Sequence, residues 1–278
     1  MKRLLAVLFS AAMLCALFTG CSGTGGKFVV LEENFGSEDY AVGMRKGDNT
    51  FTLAFQTALD DIIADGTAAD ISKKWFGEDK VLRDKPFPRE ITDTGDSSLQ
   101  YIKDKGKLIL GLDVGFDPMG FYDDKGNIVG FDIDLAKEVA NRLGVELVLQ
   151  PISWDAKEME LSGKTIDVIW NGMSVTDKRV EEMNISKPYL SNRMIIIVRD
   201  GSDIKTKADL AGKVVACQSG SSALNAIEAE PDTVATFKEL VSSYSDNPTA
   251  FLDLKSGRVD ALVVDEVVGL NLIAKNSK

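Results

Sequence analysis

A stretch near the middle of the chain decides the fold, namely residues 166–179, with the sequence IDVIWNGMSVTDKR. It opens with a short apolar run, Ile166 to Ile169, that is typical of a buried β-strand. An Asn171-Gly172 turn follows, and Thr176 is suited to cap a helix that begins directly after it. A buried strand that passes through a glycine turn into a capped helix is typical of an α/β protein.

Strands and helices continue to alternate on both sides of this stretch. The strands predicted between residues 99 and 278 are Lys107–Leu112, Ile128–Asp132, Val145–Gln150, Met194–Val198, Val214–Cys217, Ala235–Phe237 and Val259–Val264. The helices predicted there are Leu99–Lys105, Ile133–Leu143, Lys157–Leu161, Ser221–Glu228, Pro248–Leu254 and Val267–Ala274. This alternation predicts parallel sheets with helical crossover connections.

The N-terminal part carries two more predicted strands, Phe28–Leu31 and Tyr40–Met44, which are separated by a polar stretch. Apolar residues at helical spacing then predict one helix from Phe51 to Ile62 and another from Thr67 to Trp75. Residues 78–98 contain charges and prolines without apolar periodicity. We therefore expect residues 78–98 to form a linker, most of which contributes no core.

The composition of the chain excludes several classes of function. Its 278 residues are 44% hydrophobic and 27% charged, which is typical of a soluble globular protein. Histidine is absent, which excludes Ser-His-Asp and Cys-His nucleophiles and His-ligated metal sites. The formal net charge of -11 argues against nucleic-acid binding. Cys15, Cys21 and Cys217 provide neither a disulfide framework nor a cysteine-rich metal site.

The first residues have the pattern of a targeting segment. A basic start precedes an apolar run from Leu4 to Phe18, which is too short for a comfortable membrane span. Small residues then lead to Cys21, and a Gly/Ser stretch follows, so that the segment resembles a bacterial lipoprotein signal. The resemblance implies a signal peptide over residues 1–20, a lipid on the Cys21 sulfur and a flexible tether over 21–27. Ordinary cleavage without a lipid is the alternative.

From Leu99 onward the chain resembles the polar amino-acid-binding proteins of ABC importers. The motifs that carry the resemblance are GLD at 111–113, FDPMGF at 116–121, VGFDIDLA at 129–136, DVIWNGMSVTDKR at 167–179, SKPY at 186–189, ADLAGK at 208–213 and GRVDALVVD at 257–265. The resemblance implies an α/β, two-lobed periplasmic-binding-protein-like fold of type II, with the ligand held between the lobes.

The order of the motifs departs from that family. Blocks that resemble its C-terminal end, YAVGMRKGD at 40–48 and KWFG at 74–77, come first here. A circular permutation explains this order, with the former ends joined through residues 78–98; a misordered chain is the alternative. The resemblance then implies that 39–192 form the first lobe and that 28–38 with 193–278 form the second. Exposed loops and neighbouring termini tolerate such a rearrangement.

A cleft for a free amino acid needs a donor for the carboxylate and an acceptor for the ammonium. Arg179 suits the carboxylate, since its guanidinium matches two oxygens and lies in the first turn of a helix. Asp265 ends a predicted strand, where ligands of α/β sheets bind, and resembles the ammonium acceptor of the family. Asp113 ends another strand, and the resemblance places it beside either the ligand side chain or the ammonium.

Further site residues follow from the resemblance. Phe116 and Trp154 correspond to aromatic walls around the ligand, whereas Trp170 fits the pocket and the core equally well. The remaining candidates, with hydroxyl, amide or carbonyl groups, are Asn171, Gly172, Ser174, Gln218, Ser221 and Ser222.

The function implied is that of an extracytoplasmic, membrane-anchored lipoprotein that captures a polar amino acid and delivers it to an ABC permease. Glutamine, arginine, histidine and cystine are the candidate ligands. We expect a monomer that is not an enzyme and that uses no cofactor, metal or nucleic acid. The alternatives are a dehydratase, for which we find no general acid, and a sensor domain, which normally continues into a membrane span.

Overall fold

The computed structural model describes residues 28–276. The signal peptide, the lipidation site at Cys21 and the tether that the sequence predicts therefore lie outside the described residues. Within them the chain is a mixed α/β structure, as the alternation of strands and helices predicts.

Helices and strands alternate along most of the described chain. The helices are α1 (Asn49–Ala64), α2 (Thr67–Phe76), α3 (Ser98–Lys105), α4 (Phe131–Leu143), α5 (Lys157–Ser162), α6 (Asp177–Glu182), α7 (Ser222–Glu228), α8 (Pro231–Val234), α9 (Asn247–Ser256) and α10 (Glu266–Asn276). The strands are β1 (Phe28–Arg45), β2 (Lys107–Leu112), β3 (Gly115–Phe116), β4 (Gly120–Tyr122), β5 (Ile128–Val129), β6 (Glu146–Pro151), β7 (Val168–Ser174), β8 (Met183–Ile185), β9 (Leu190–Arg199), β10 (Val214–Gln218), β11 (Glu239–Tyr244) and β12 (Ala261–Asp265).

Two half-sheets are joined by two long antiparallel strands. The strand order is β11-β10-β12-β9-β1-β7-β2-β6, with β8 also beside β1, and a small sheet β3-β4-β5 lies apart. In one half β2 runs parallel to β6 and β7; in the other β10 runs parallel to β11 and β12. We call the half with β7, β2 and β6 the first lobe and the half with β12, β10 and β11 the second lobe.

The prediction of two strands separated by a polar loop between residues 28 and 44 is wrong. The structure has one strand of 18 residues, β1, which pairs with β9 from Phe28 to Tyr40 and with β7 and β8 at its other end. The polar residues in the middle of β1 were predicted as a loop. They are polar because this part of the strand crosses between the lobes, where most of its side chains are not covered by either lobe. Two register shifts, between Val30 and Ser37, mark this crossing.

Both faces of each half-sheet are covered, which explains the continuous apolar runs in the sequence. All seven residues of β7 and all five of β12 are buried. Along β7, Trp170 packs into one core cluster, whereas Ile169 and Met173 pack into another on the opposite face. Strands covered on both faces lose the alternation of polar and apolar residues.

One local prediction is wrong, and another is incomplete. Residues 235–237 were predicted as a strand, but α8 ends at Val234, residues 235–236 form a turn, and the strand follows as β11. Residues 78–98 are not free of core contacts, since Val81 is 6% exposed and bridges to Leu190. Asp96 accepts hydrogen bonds from the Thr50 and Ser98 backbone N–H groups and so caps α1 and α3. Short polar segments carry these roles without a periodic signal.

Candidate ligand-binding cleft

The carboxyl ends of two parallel strands bring the first-lobe candidates together. β2 ends just before Asp113, and its neighbour β7 ends at Ser174. The Asn171 side-chain carbonyl, near the end of β7, accepts a hydrogen bond from the Asp113 N–H at 3.1 Å. Parallel strands therefore place Asp113, Asn171 and Ser174 at one edge of the sheet, where ligands of open α/β sheets bind.

Arg179 is a buried cation without an ion pair in the described chain. Its side chain belongs to α6, which Thr176 caps through a 3.3 Å bond from the Arg179 N–H. The residue is 3% exposed, and Nη1 donates to the Ser174 carbonyl at 2.8 Å. Burial lowers the pKa of Arg179, while more distant carboxylates, Glu158 and Glu38 first among them, act in the opposite direction. The remaining donors of the guanidinium suit a carboxylate ligand.

Asp265 is a buried carboxylate of the second lobe, at the end of β12. The Tyr40 hydroxyl donates to its Oδ1 at 2.5 Å, and Asn192 Nδ2 donates to the same oxygen at 2.9 Å. None of the lysines and arginines in residues 28–276 forms an ion pair with it. Burial, and then the neighbouring Glu38 carboxylate, raise the pKa of Asp265 well above its usual range. A ligand cation would relieve this cost.

A second buried carboxylate fixes the backbone at Gly172, which lies within β7 and not in the turn that the sequence predicts. Gly172 has φ +58°, and a Cβ there would lie 2.6 Å from the Phe116 ring, so only glycine fits. Asp132 Oδ2, at the start of α4, accepts the Gly172 N–H at 2.7 Å. Burial raises the pKa of Asp132 to about 7, although Tyr189, Gly172 and Trp170 groups pull in the other direction.

Side chains of the two lobes meet directly across the cleft. Gln218 Nε2, at the end of β10, donates to Asp113 Oδ2 at 2.7 Å. The Ser174 and Ser222 hydroxyl oxygens are 2.8 Å apart. These contacts join candidates from 113 to 222 in the sequence, and they describe a closed arrangement of the lobes.

Of three further candidates, one caps a helix, one lies beside the cleft and one belongs to the core. Ser221 caps α7 and donates to the Gln218 carbonyl at 2.8 Å, so its hydroxyl serves the turn itself. Trp154 is buried beside the cleft, where the Lys157 ammonium lies 5.0 Å from its ring centroid. Trp170, for which the sequence left two options, is fully buried and packs on Phe55, so it belongs to the core.

Sequence reasoning missed several polar residues of the cleft. Tyr40, Asn192 and Glu38 surround Asp265. Glu38 and Asn192 lie where we expected a loop or a connection, and Tyr40 was predicted only as the start of a strand. Lys157 is buried and reaches the Gly220 carbonyl of the second lobe at 3.0 Å. A lysine one helical turn before the apolar Leu161 was the available signal, because that spacing puts both on one face.

Two further observations bear on the class of protein. Across residues 28–276, we find no helix with the length and apolar character needed to cross a bilayer. The same residues contain no group of three or more Cys, Asp or Glu side chains placed to hold a metal ion.

Two α/β lobes joined by a pair of crossing strands, with a polar cleft between them, define a two-lobed solute-binding protein. Comparison with known families agrees, because residues 108–246 match the bacterial extracellular solute-binding proteins, family 3. The chain belongs to this family.

Named relatives and solved structures extend the comparison. The chain is 34% identical over 181 residues to the L-cystine-binding protein TcyJ of Escherichia coli, with 64% of this chain and 66% of TcyJ aligned. The arginine-binding extracellular protein ArtP of Bacillus subtilis is 30% identical over 67% of this chain and 71% of its own length. A substrate-binding protein of a Streptococcus pneumoniae ABC uptake transporter, solved with bound histidine, is 37% identical with a TM-score of 0.62, over 66% of this chain and 75% of that one.

One solved relative concerns the question of catalysis. The ancestral amino acid-binding protein AncCDT-1, described as a precursor of cyclohexadienyl dehydratase, is 33% identical with a TM-score of 0.59. The alignment covers 64% of this chain and 78% of the AncCDT-1 chain. The named relatives above are binding proteins. TcyJ is matched over slightly less than two thirds of its length.

Proposed function

We propose that this protein binds a free amino acid between its lobes and delivers it to an ABC permease. The observation that carries the proposal is the pair of unpaired buried charges, Arg179 on the first lobe and Asp265 on the second. An α-amino acid has a carboxylate and an ammonium group that match these two charges. Burying either charge without a partner is costly, so a zwitterion that neutralises both gains strongly from binding.

The side chain of the preferred ligand is basic, and arginine is the first candidate. Asp113 is buried, and its described partners are neutral donors, the Gly115 N–H at 2.8 Å and the Gln218 amide at 2.7 Å. Burial raises the pKa of Asp113, and the nearby Asp246 raises it further. A guanidinium or ammonium group would supply the missing positive charge. Among the similar proteins, ArtP is named for arginine and the Streptococcus pneumoniae protein was solved with histidine, whereas TcyJ is named for cystine, which is not basic.

A melting experiment against the twenty amino acids and cystine tests the proposal. A ligand that binds only the folded state stabilises it by RT ln(1 + [L]/Kd), ~2.7 kcal/mol at a hundredfold excess over Kd. We expect a rise in melting temperature with arginine, and smaller rises with histidine or glutamine. The absence of any shift over the whole panel would overturn the proposal.

We also propose that the protein binds its ligand without catalysis and stays at the membrane outside the cytoplasm. Arg179 and Asp265 are both assigned to the ends of the ligand, which leaves neither as a free general acid. Anchoring depends on Cys21, and Cys21→Ala is expected to release the protein from membranes, as fractionation would measure. A Cys21→Ala protein that remains bound after signal removal would refute the lipid anchor.

We further propose the circular permutation, with the first lobe over 39–192 and the second over 28–38 and 193–278. Helix α9 supports it, because Phe28 and Asn276 both contact this helix one turn apart. The Phe28 and Phe251 ring centroids are 4.5 Å apart, and Lys255 Nζ donates to Asn276 Oδ1 at 2.9 Å. The start of β1 and the end of α10 are therefore neighbours that a short connection could join.

A further inference from the structure

A buried asparagine outside the predicted site, Asn247, is the starting point of this inference. It is the first residue of α9 in the second lobe and is 2% exposed. Its Nδ2 donates to Gln218 Oε1 at 3.0 Å. Gln218 is equally buried and is the residue that reaches across the cleft to Asp113.

The surroundings of Gln218 fix the orientation of its amide. Nε2 faces two acceptors, Asp113 Oδ2 at 2.7 Å and the Ser245 carbonyl at 2.9 Å. A reversed amide would place its oxygen against both of these oxygens. On the other side, the Asn247 amide donates to the Gln218 oxygen, and this contact favours the same orientation.

Asp113 completes the chain of hydrogen bonds in the first lobe. Its second oxygen, Oδ1, accepts the Gly115 N–H at 2.8 Å. Both carboxylate oxygens of Asp113 therefore receive donors, one from its own lobe and one from the other lobe. Asn247 is the terminal donor of the series, and it acts together with the two acceptors of Nε2 to orient the Gln218 amide.

We propose that Asn247 is a positioning residue that sets the polarity of a hydrogen-bond relay, Asn247–Gln218–Asp113, across the cleft. The relay holds the Asp113 carboxylate where the ligand side chain binds and favours closure of the lobes. The expected effect on ligand binding rests on the proposed function, whereas the expected effect on lobe closure does not. Asn247 does not touch Asp113, so its influence passes through Gln218.

Reversing the terminal donor tests the relay. In Asn247→Asp, measured at pH 8, an acceptor faces Gln218, and the N-terminal position in α9 keeps the new carboxylate ionised. The Gln218 amide then turns, and its oxygen faces Asp113, which has no proton to donate. We expect scattering from the ligand-free protein to show a more open shape, and L-arginine to bind about tenfold more weakly or worse.

A second substitution separates the relay from general damage. In Asp113→Asn alone, the new side chain must accept from both Gly115 and Gln218, which its amide cannot do with both ends. In the double variant, the new amide at position 113 accepts from Gly115 and donates to the reversed Gln218 amide. We expect the double variant to be more closed, and to melt higher, than the two single effects predict. The rescue is partial because the Ser245 carbonyl loses its donor.

Two controls complete the design. Asn225→Asp adds the same charge to an exposed position of the second lobe and is expected to change neither shape nor melting temperature. Asn247→Leu removes the donor without supplying an acceptor, so Asp113→Asn should not rescue it. Additive effects of Asn247→Asp and Asp113→Asn, or equal rescue of the Leu variant, would overturn the relay. The shape and melting readouts need no ligand, so a wild type that binds no amino acid would refute the proposed function and leave the relay testable.

Discussion

The first lobe brings a buried cation to the cleft, whereas the second brings a buried anion. Arg179 sits on α6, which follows the end of β7, and its guanidinium is held by the Ser174 carbonyl at 2.8 Å. Asp265 ends β12 and is held by Tyr40 and Asn192, which lie on the strands that cross between the lobes. Neither lobe alone is complementary to a zwitterion, so closure assembles the site, and a ligand that contacts both lobes favours the closed state.

Arg179→Ala tests the first-lobe side of this comparison and has the largest expected effect. The ligand carboxylate would lose its charged donor in a closed cleft, which typically costs ~2–5 kcal/mol of binding free energy. Calorimetry with L-arginine measures the loss. Arg258→Ala is the matched control, since that side chain is 70% exposed and pairs with Asp253. A folded Arg179→Ala protein with wild-type affinity would remove Arg179 from the site.

Each lobe also contains a buried carboxylate, and the two should respond differently to neutralisation. Asp132 in the first lobe has a pKa of about 7 in the folded protein, above its ordinary value, so the unfolded chain binds fewer protons between about pH 4 and 7. The free energy of unfolding should fall as pH rises through that window and then level off. Asp132→Asn should remove the contribution of Asp132 to this slope and be more stable at pH 8, by about 4 kcal/mol.

The measurement is a series of denaturant unfolding curves from pH 4 to 8 for the wild type and Asp132→Asn. The Asn side chain can still accept the Gly172 N–H, so ligand affinity at pH 8 should change little. An identical pH dependence in both proteins would show that Asp132 is not the titrating group.

Asp265→Asn sharpens the comparison from the second lobe. Removing an unpaired buried charge should raise the melting temperature of the ligand-free protein, because the pKa of Asp265 is raised by its burial. The same change should weaken ligand binding by ~1–3 kcal/mol, since the ammonium loses a charged acceptor. Asp232→Asn, at an exposed position of α8, serves as the control. Lower stability without a loss of affinity would contradict the assignment of Asp265.

In the proposed permutation, the first lobe is one continuous segment, whereas the second is built from both ends of the chain. Restoring the usual order of the family is the change with the smallest expected effect. A protein cut between Glu90 and Ile91, with Lys278 joined to Lys27 by a short linker and the leader moved ahead of the new start, should keep its ligand affinity. The cut avoids residues 93–97, because Asp96 there caps α1 and α3. Changes in loop length cost only ~0.6 kcal/mol per doubling.

Calorimetry and melting curves of the reordered protein measure this outcome. A cut within 93–97 is the contrasting variant, and we expect it to melt lower because α1 loses its cap. An unfolded protein from the Glu90–Ile91 cut would show that residues 78–98 are structural throughout and that the proposed lobe boundaries are wrong.

The parts of the fold that the sequence predicted well are those with a periodic or covered pattern. Strand β2 was predicted with its observed ends, and α2, α3 and α7 to within one residue, because apolar spacing and glycine stops mark them. Both ends of the crossing strand β1 were predicted as strands, but its middle was missed because most residues there are polar and at least partly exposed, with Phe35 the buried exception. Strand β11 was displaced because its half-exposed residues carry no strong alternation.

The site residues likewise include some that the sequence predicted and some that it did not. Motif resemblance pointed to Arg179, Asp113 and Asp265, which the structure places around one cleft. Asn247 and Glu38 were not predictable, because their roles depend on what lies opposite them after folding. Asn247 is meaningful only beside Gln218, 29 residues away in the sequence. Pairing between residues that meet only after folding leaves no trace in local composition.

The most direct test of the account is a comparison of two ligands that differ only in the carboxylate. L-arginine and its decarboxylated analogue agmatine would be titrated calorimetrically into the wild type and into Arg179→Ala. We expect the wild type to bind arginine far more tightly than agmatine, and Arg179→Ala to lose most of that preference while its weak affinity for agmatine changes little. Equal weakening of both ligands by Arg179→Ala, or equal affinity of the wild type for both, would contradict the claim that Arg179 holds the carboxylate of an amino acid between the lobes.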